Sequence, residues 1–116
     1  MSQATGFAAE ETARQYLIIQ GLKWVESNYS CRLGEIDLIM RDKEFLVFVE
    51  VRARASANYG GAIESVTYRK QQKILKTASL YLVTRKLYNQ TPVRFDVVSI
   101  EGLPPKLTWI SNAFSE

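Results

Sequence analysis

Two short segments of the 116-residue chain place charged side chains at every second position, where they could act together on one substrate. The charged members are Glu35, Asp37, Glu50, Arg52 and Arg54. Because residues two apart share one face of a strand, we expect these side chains to converge if the two segments pair. Carboxylate oxygens bind Mg²⁺ and Mn²⁺, and such an ion activates water and stabilises charge on a phosphoryl oxygen. The spacing therefore favours a metal site at Asp37 and Glu50, with Arg52 holding a phosphate oxygen.

The register of the predicted hairpin determines how close the two carboxylates come. A turn centred on Asp42-Lys43 pairs residues whose numbers sum to 85, which places Glu35 opposite Glu50 and Asp37 opposite Phe48. Asp37 and Glu50 are then diagonal neighbours, roughly 7–8 Å apart at the backbone. One hydrated divalent cation can bridge that distance, so this register predicts a shared metal ion.

Two structural interpretations of these side chains stay open. Arg52 and Arg54 could neutralise Glu35 and Glu50 as cross-strand ion pairs, without any bound metal. Glu10 lies on the apolar face of a predicted helix, so it points toward the sheet and could join the site. It could equally be a first-turn carboxylate that complements the helix dipole. The acidic cluster is therefore either an ion network or a catalytic site.

The composition excludes several other kinds of site. The chain has no His and a single Cys, Cys31, so it lacks residues that Ser-His-Asp triads, Cys-His dyads, HExxH proteases and Cys-rich zinc sites need. Any metal must be bound by oxygen, and an internal disulfide cannot form. No long apolar run or signal-peptide pattern is present, so we expect a cytoplasmic protein without a membrane segment.

The net charge of +3 conceals a strong segregation along the chain. Residues 52–94 carry nine basic side chains and one acidic one, whereas residues 1–51 carry five and eight. A solvated helix face would explain the basic segment. Alternatively, the basic segment could bind a polyanion, because a protein that holds both a metal ion and a polyanion needs acidic and basic side chains next to each other. We therefore expect a nucleic acid, DNA in the first place, as the partner, contacted by Arg52, Arg54, Arg69, Lys70 and Lys73.

Hydrophobic periodicity and turn residues predict two helices and five strands. The helices cover Gly6–Gln20 and a segment capped by Ser65 or Thr67 that runs to about Lys86. The strands cover Leu22–Cys31, Gly34–Met40, Phe45–Ala53, Pro92–Ile100 and Leu107–Ile110. Between them, the small residues and paired glycines of Ala55–Gly61 predict a loop that could serve as a lid.

The order of these elements, αβββαββ, predicts an α/β fold in which a mixed sheet is flanked by helices. A chain of this length is expected to form a single domain, residues 1–116. An exposed edge strand could recruit a second copy, so a homodimer is one candidate assembly.

The segments Gly34-Glu-Ile-Asp-Leu-Ile-Met40 and Phe48-Val-Glu-Val-Arg-Ala-Arg54 resemble the signature of the YraN-like family of bacterial proteins, which is related to the restriction-endonuclease-like superfamily. The resemblance extends over nearly the whole chain. Further matching positions are Gly6, Ala9-Glu10, Asn28, Gly60, Lys70, Ala78, Arg94-Phe-Asp96 and Asn112-Ala-Phe114. The order and spacing of these elements together identify the chain as a member of that family.

This resemblance implies a restriction-endonuclease-like fold and a nuclease site of the pattern Asp…Glu-x-Lys. Asp37 corresponds to the first acidic residue, Glu50 to the second and Arg52 to the lysine. Glu10 corresponds to a carboxylate on the first helix of several related nucleases. The family usually has Phe-Val-Glu-Val-Lys, so the arginine is a departure. It keeps a positive charge near the phosphate, but it does not readily exchange a proton, and its planar fork differs in shape from an ammonium.

Three functions follow from these observations. The first is a Mg²⁺- or Mn²⁺-dependent endonuclease that cleaves DNA, with branched or other non-duplex DNA among the candidate substrates and the four residues just described as its catalytic residues. The second is a nucleic-acid-binding protein in which the arginine at position 52 has replaced catalysis. The third is a protein-interaction subunit that uses exposed aromatic residues such as Tyr59 or Trp109. No base-reading motif is present, so we expect contacts to the backbone and to shape.

Overall fold

A computed structural model of the chain describes residues 3–54 and 66–115, with side chains from Phe7 onward. Two helices and five strands form in the order αβββαββ, which confirms the predicted order. The elements are α1 (Gln3–Ile19), β1 (Lys23–Cys31), β2 (Gly34–Asp42), β3 (Phe45–Arg54), α2 (Tyr68–Thr84), β4 (Val93–Glu101) and β5 (Lys106–Phe114). The proposed lid at Ala55–Gly61, with Tyr59, and the alternative cap Ser65 lie outside the described residues.

The five strands form one mixed sheet in the order β1-β2-β3-β4-β5. β3 and β4 are parallel, and every other neighbouring pair is antiparallel. A parallel pair needs a crossover connection, and the chain from β3 to β4 contains α2. The predicted α/β fold with a mixed sheet is therefore confirmed.

The sheet is apolar on both faces, and each helix covers one of them. Side chains alternate between the faces along each strand, so neighbouring residues of β3 such as Phe48 and Val49 lie in different core layers. The layer under α1 contains Ala9, Ala13, Leu17, Leu38, Met40, Val47, Val49, Val51 and Val98. The layer under α2 contains Ile36, Ile39, Leu46, Phe48, Ile74, Ala78, Tyr81, Leu82, Phe95 and Val97. Neither helix is long and apolar enough to cross a membrane.

The β2–β3 hairpin differs from the predicted register by two residues. Leu38 pairs with Val49 and Asp42 pairs with Phe45, so paired numbers sum to 87 and not to 85. Asp42 stays in the ladder because its carboxylate accepts a hydrogen bond of 2.9 Å from Arg94, and the chain turns after it. A shift of two residues keeps side chains on their predicted faces, because their period is also two.

Ile36 is an exception: alternation along β2 predicts that it shares a face with Leu38, and this prediction is wrong. Ile36 packs under α2, whereas Leu38 packs under α1. On the neighbouring strand, Asn28 has a φ of 55° between the pairs Ser27↔Leu38 and Tyr29↔Ile36. A left-handed residue of this kind interrupts the regular alternation of a ladder. The irregularity falls beside Asp37 and so affects the candidate site.

The element ends differ from the predicted ones in informative ways. α1 begins at Gln3 and has no acidic residue in its first turn, so the interpretation of Glu10 as a first-turn carboxylate is wrong. α2 is capped by Thr67, whose hydroxyl accepts from the amide of Lys70 at 3.2 Å. β5 continues to Phe114, whose ring stacks on that of Phe95.

Candidate functional site

A cavity of about 480 Å³ lies where β2 and β3 meet the N-terminal half of α2. Residues from α1, β2, β3 and α2 line it, and they bring together seven of the eight predicted site residues. These are Glu10, Asp37, Glu50, Arg52, Arg69, Lys70 and Lys73. Glu35 also lines the cavity, which therefore places four carboxyl groups beside four cations, the combination that a metal ion and a phosphate require.

Arg54 is the predicted site residue that does not line the cavity. Its guanidinium forms an ion pair with Glu101 on the neighbouring strand β4. The predicted pairing of Arg54 with Glu35 or Glu50 is therefore absent, and Arg54 is engaged in holding β3 to β4.

Asp37 lies where the β2–β3 ladder ends. Leu38↔Val49 is the last pair of that ladder, and beyond it the amide of Val51 donates to Asp37 Oδ2 at 2.8 Å. The side-chain carboxylate thus accepts from the neighbouring backbone where main-chain pairing stops. This contact fixes the direction of the Asp37 side chain, which lies beside Glu50.

The electrostatics of Asp37 are unusual for an aspartate. Burial, and after it the negative charge of Glu50, raise the pKa of Asp37 to about 9. The carboxyl therefore keeps its proton at neutral pH and hydrogen-bonds to Glu50. A cation bound between the two carboxyls would take the place of this proton, because a nearby positive charge favours the ionised form of Asp37.

Asp96 shows what a buried aspartate with a purely structural role looks like in this fold. It is 1% exposed and accepts hydrogen bonds from the Arg94 guanidinium, the Trp109 indole N–H and the Asn112 amide. These hydrogen bonds, together with the positive charge of Arg94, compensate the negative charge of the Asp96 carboxylate. Trp109 is thereby part of the core network, and its role as an exposed interaction residue is not supported. Asp37 has no comparable set of donors.

Glu50 is almost fully buried, with 5% of its surface exposed, and it contacts two cations. Lys70 Nζ lies 2.7 Å from Glu50 Oε2, and Arg52 Nη1 lies 3.7 Å from the same oxygen. The predicted neutralisation of Glu50 by Arg52 is therefore present, but Lys70 from α2 is the closer cation. No sequence pattern indicated this contact, because it depends on how α2 docks.

Glu10 has a buried oxygen, Oε1, that makes no hydrogen bond with the described residues. Burial raises the pKa of Glu10, and the charges of Glu35 and Glu50 add to the rise, while hydrogen bonds with Asn28 and Asp37 oppose it. Asn28 was not predicted as a site residue. Its signal in the sequence was its place among the positions that match the family signature.

The close docking of α2 on β2 depends on Gly34. A Cβ at Gly34 would lie 2.9 Å from Thr77 Oγ1, and the φ of 152° also disfavours a side chain. Thr77 cannot easily move, because it is fully buried and donates to the Lys73 carbonyl at 2.8 Å. Gly34 therefore lets α2 approach closely enough for Lys70 to reach Glu50.

The donor set of the cavity fits Mg²⁺ or Mn²⁺, although it is not a preformed cage. Among residues 3–54 and 66–115, no three His, Cys, Asp or Glu side chains are grouped as a complete metal site. Mg²⁺ commonly binds through one or two carboxylates and completes its shell with waters and substrate phosphates. Asp37 and Glu50 could supply those two carboxylates, and the unpaired oxygen of Glu10 could accept from a water of that shell.

Comparison with known proteins identifies relatives of this chain along nearly its whole length. Residues 9–100 match the model of the uncharacterised protein family UPF0102. The chain belongs to the UPF0102 family. The matched region contains every residue of the cavity, and this is the family whose signature the sequence shows as YraN-like.

Individual UPF0102 proteins support the assignment. A UPF0102 protein of Legionella pneumophila (strain Philadelphia 1) is 52% identical over 114 residues, which cover 98% of this chain and 97% of that protein. UPF0102 proteins of Stutzerimonas stutzeri and Pseudomonas syringae (strain B728a) are 50% and 46% identical, each over 115 residues and 97% of this chain. The matches cover 96% and 94% of those two proteins, so these UPF0102 chains correspond almost end to end.

Proposed function

We propose that this UPF0102 protein is a Mg²⁺- or Mn²⁺-dependent endonuclease that binds DNA and hydrolyses its phosphodiester bonds. The observation that carries the proposal is the pair of adjacent carboxyls, the half-buried Asp37 and the buried Glu50, in a cavity lined by four cations. Two adjacent carboxyls in a low-dielectric site destabilise a fold unless a proton or a cation compensates, so such pairs are found chiefly at functional sites. A metal ion would compensate the negative charge of the carboxyls, and a phosphate would compensate the positive charge of the four cations.

The residues of the cavity have different roles, which follow from their positions. Asp37 and Glu50 hold the ion, and Glu10 orients a water molecule through its unpaired oxygen. The bound ion supplies activation of the attacking water and stabilisation of charge on a phosphoryl oxygen. Arg52 holds a phosphate oxygen of the bond to be cut, and Arg69 and Lys73 contact the flanking phosphates.

The reaction is an ordinary hydrolysis and needs no partner other than water. The water oxygen bonds to phosphorus while the bond from phosphorus to one deoxyribose oxygen breaks. The water loses a proton to solvent, and the leaving oxygen gains one. The cations of the cavity stabilise the charge that develops on the phosphate during this exchange.

A second candidate function is DNA binding without cleavage. It is favoured by one observation, the arginine at position 52 where the family signature usually has lysine. Arginine keeps the charge that binds phosphate but cannot exchange protons readily. This candidate retains the cavity as a phosphate-binding surface and removes only the chemical step.

Cleavage of end-labelled duplex, single-stranded and four-way-junction DNA, in Mn²⁺ and in EDTA, separates the two candidates. The wild type is compared with Glu50→Gln and with the control Glu44→Gln, an exposed residue in the turn at the far end of the hairpin. Mn²⁺-dependent products that disappear only in Glu50→Gln support the endonuclease. Retarded bands without products support the binding protein. The absence of both products and retarded bands would contradict both candidate functions.

A further inference from the structure

Lys70 contacts the acidic pair in a way that the other cations of the cavity do not. Its Nζ lies 2.7 Å from Glu50 Oε2, whereas the nearest nitrogen of Arg52 is 3.7 Å away. Arg69 and Lys73 line the same cavity but form no ion pair with residues 3–54 or 66–115. Of the four cations, Lys70 is therefore the one at hydrogen-bonding distance from a predicted metal ligand.

The backbone of Lys70 is held firmly, although its side chain is partly free. The Lys70 amide donates to the Thr67 cap, and the neighbouring Gln71 side chain donates to the Val66 carbonyl at 3.0 Å. The side chain of Lys70 is 42% exposed, so the ammonium has Glu50 on one side and the water of the cavity on another. A lysine whose backbone is fixed and whose ammonium is partly exposed is suited to contact both the protein and a substrate.

The chemistry of an ammonium distinguishes Lys70 from the two arginines. A lysine carries three N–H donors around one compact charge, whereas a guanidinium presents its donors in a rigid planar fork. One N–H of Lys70 is engaged by Glu50, and the ammonium forms no other ion pair with residues 3–54 or 66–115, so its remaining two donors can meet further acceptors. In the proposed hydrolysis, an attacking water and a phosphate oxygen beside Glu50 would be such acceptors.

We propose that Lys70 is a catalytic residue, whose ammonium donates hydrogen bonds to the attacking water and to the scissile phosphate. This inference rests on the proposed function. Lys70 aligns the water oxygen with phosphorus, and the proton and bond changes are those of the hydrolysis given above. Arg52 then needs only to bind phosphate, which its guanidinium does well.

Steady-state cleavage by Lys70→Met and Lys73→Met tests this assignment. Removing a donor aimed at the transition state typically lowers kcat by about 10²–10³-fold, so Lys70→Met should lose that much with little change in KM. Lys73 contacts a flanking phosphate, so Lys73→Met should mainly raise KM. Restoring cleavage to Lys70→Met by adding Arg52→Lys would support a role for an ammonium at this point.

A second readout does not depend on turnover. Calorimetric titration with Mn²⁺ should give Lys70→Met an affinity equal to or tighter than that of the wild type, because a cation that competes for Glu50 is gone. A weaker Mn²⁺ affinity would mean that Lys70 merely supports the site and would overturn the inference. Cleavage by Lys70→Met within a few-fold of an active wild type would overturn it too, with the proposed function intact. A wild type that does not cleave overturns the proposed function itself.

Discussion

At the scale of single residues, the buried Asp96 and the half-buried Asp37 have contrasting surroundings. Asp96 has donors on every side, and its negative charge is balanced by Arg94. Asp37 has one backbone donor and two acidic neighbours, Glu50 and Glu10, and it keeps its proton. Stability alone favours the first arrangement, so the second supports the proposal that Asp37 belongs to a ligand-binding site.

Asp37→Asn should stabilise the protein without metal, and the gain should increase with pH. In the wild type the pKa of Asp37 rises from 3.8 to about 9 on folding, so the folded state holds an extra proton between those values. Stability therefore falls as pH rises through that window, whereas the asparagine has no proton to lose and can still accept from Val51. Since one pKa unit corresponds to about 1.4 kcal/mol, a gain of at least about 1 kcal/mol is expected at pH 8.

Urea denaturation in EDTA at pH 5 and pH 8 measures this difference. Asp96→Asn is the matched control, because it removes a charge that Arg94 balances and should therefore destabilise the protein at both pH values. An Asp37→Asn protein that is less stable than the wild type at pH 8 would contradict the assigned electrostatics.

At the scale of elements, periodicity predicted the seven elements and their order, but not how they fit together. The register of β2 against β3 was wrong by two residues, because the long-range contact of Asp42 with Arg94 extends the ladder past the expected turn. The end of β5 was missed because residues 111–114 lack a strand pattern and are held by contacts to Phe95 and Asp96.

The candidate site was predictable to a similar extent. Seven of its residues could be named from charge spacing and the family signature, and they line one cavity. The contact of Lys70 with Glu50 and that of Asn28 with Glu10 were missed. Both join residues far apart in the chain, so local patterns contain no information on them.

Gly34→Ala should separate α2 from β2 and weaken the site. The new methyl group would lie 2.9 Å from Thr77 Oγ1, so the helix or the strand must shift. We expect a loss of about 1–3 kcal/mol of stability from overpacking and a lower affinity for Mn²⁺ and DNA. Thermal unfolding and calorimetry measure both quantities.

Gly21→Ala provides the control for backbone strain alone. Gly21 has a φ of 106° with no atom within 4 Å of an added Cβ. The Gly21→Ala variant should be less stable than the wild type, since a positive φ disfavours a side chain. Its affinity for Mn²⁺ and DNA should be unchanged. Equal affinities in the two variants would show that docking of α2 does not depend on Gly34.

At the scale of the whole molecule, the segregated charge of the sequence becomes a mixed-charge cleft in the fold. Residues 52–94 carry nine of the fifteen basic side chains, and four of the nine line the cavity with the carboxyls. A protein that binds DNA through such a cleft releases counterions from the phosphates it contacts. Its affinity should therefore depend strongly on salt.

The slope of log affinity against log salt concentration should reflect the four cations of the cavity. With about 0.9 counterions released per phosphate contact, a slope between about −3 and −4 is expected for duplex DNA. Lys73→Met should reduce its magnitude by about 1, since one phosphate contact is lost. Lys106→Met, at an exposed position outside the cavity, should leave the slope unchanged. Fluorescence anisotropy titrations in EDTA give these slopes, and a salt-independent affinity would argue against a phosphate-binding cleft.

The most direct test of the account is cleavage of labelled DNA by Asp37→Asn in the presence of Mn²⁺. Asparagine preserves the shape of the side chain and removes the charge that would hold the ion. The account predicts metal-dependent cleavage by the wild type, none by Asp37→Asn, and equal or tighter DNA binding by the variant, because asparagine cannot ionise beside the phosphate. Unchanged cleavage by Asp37→Asn would contradict the account.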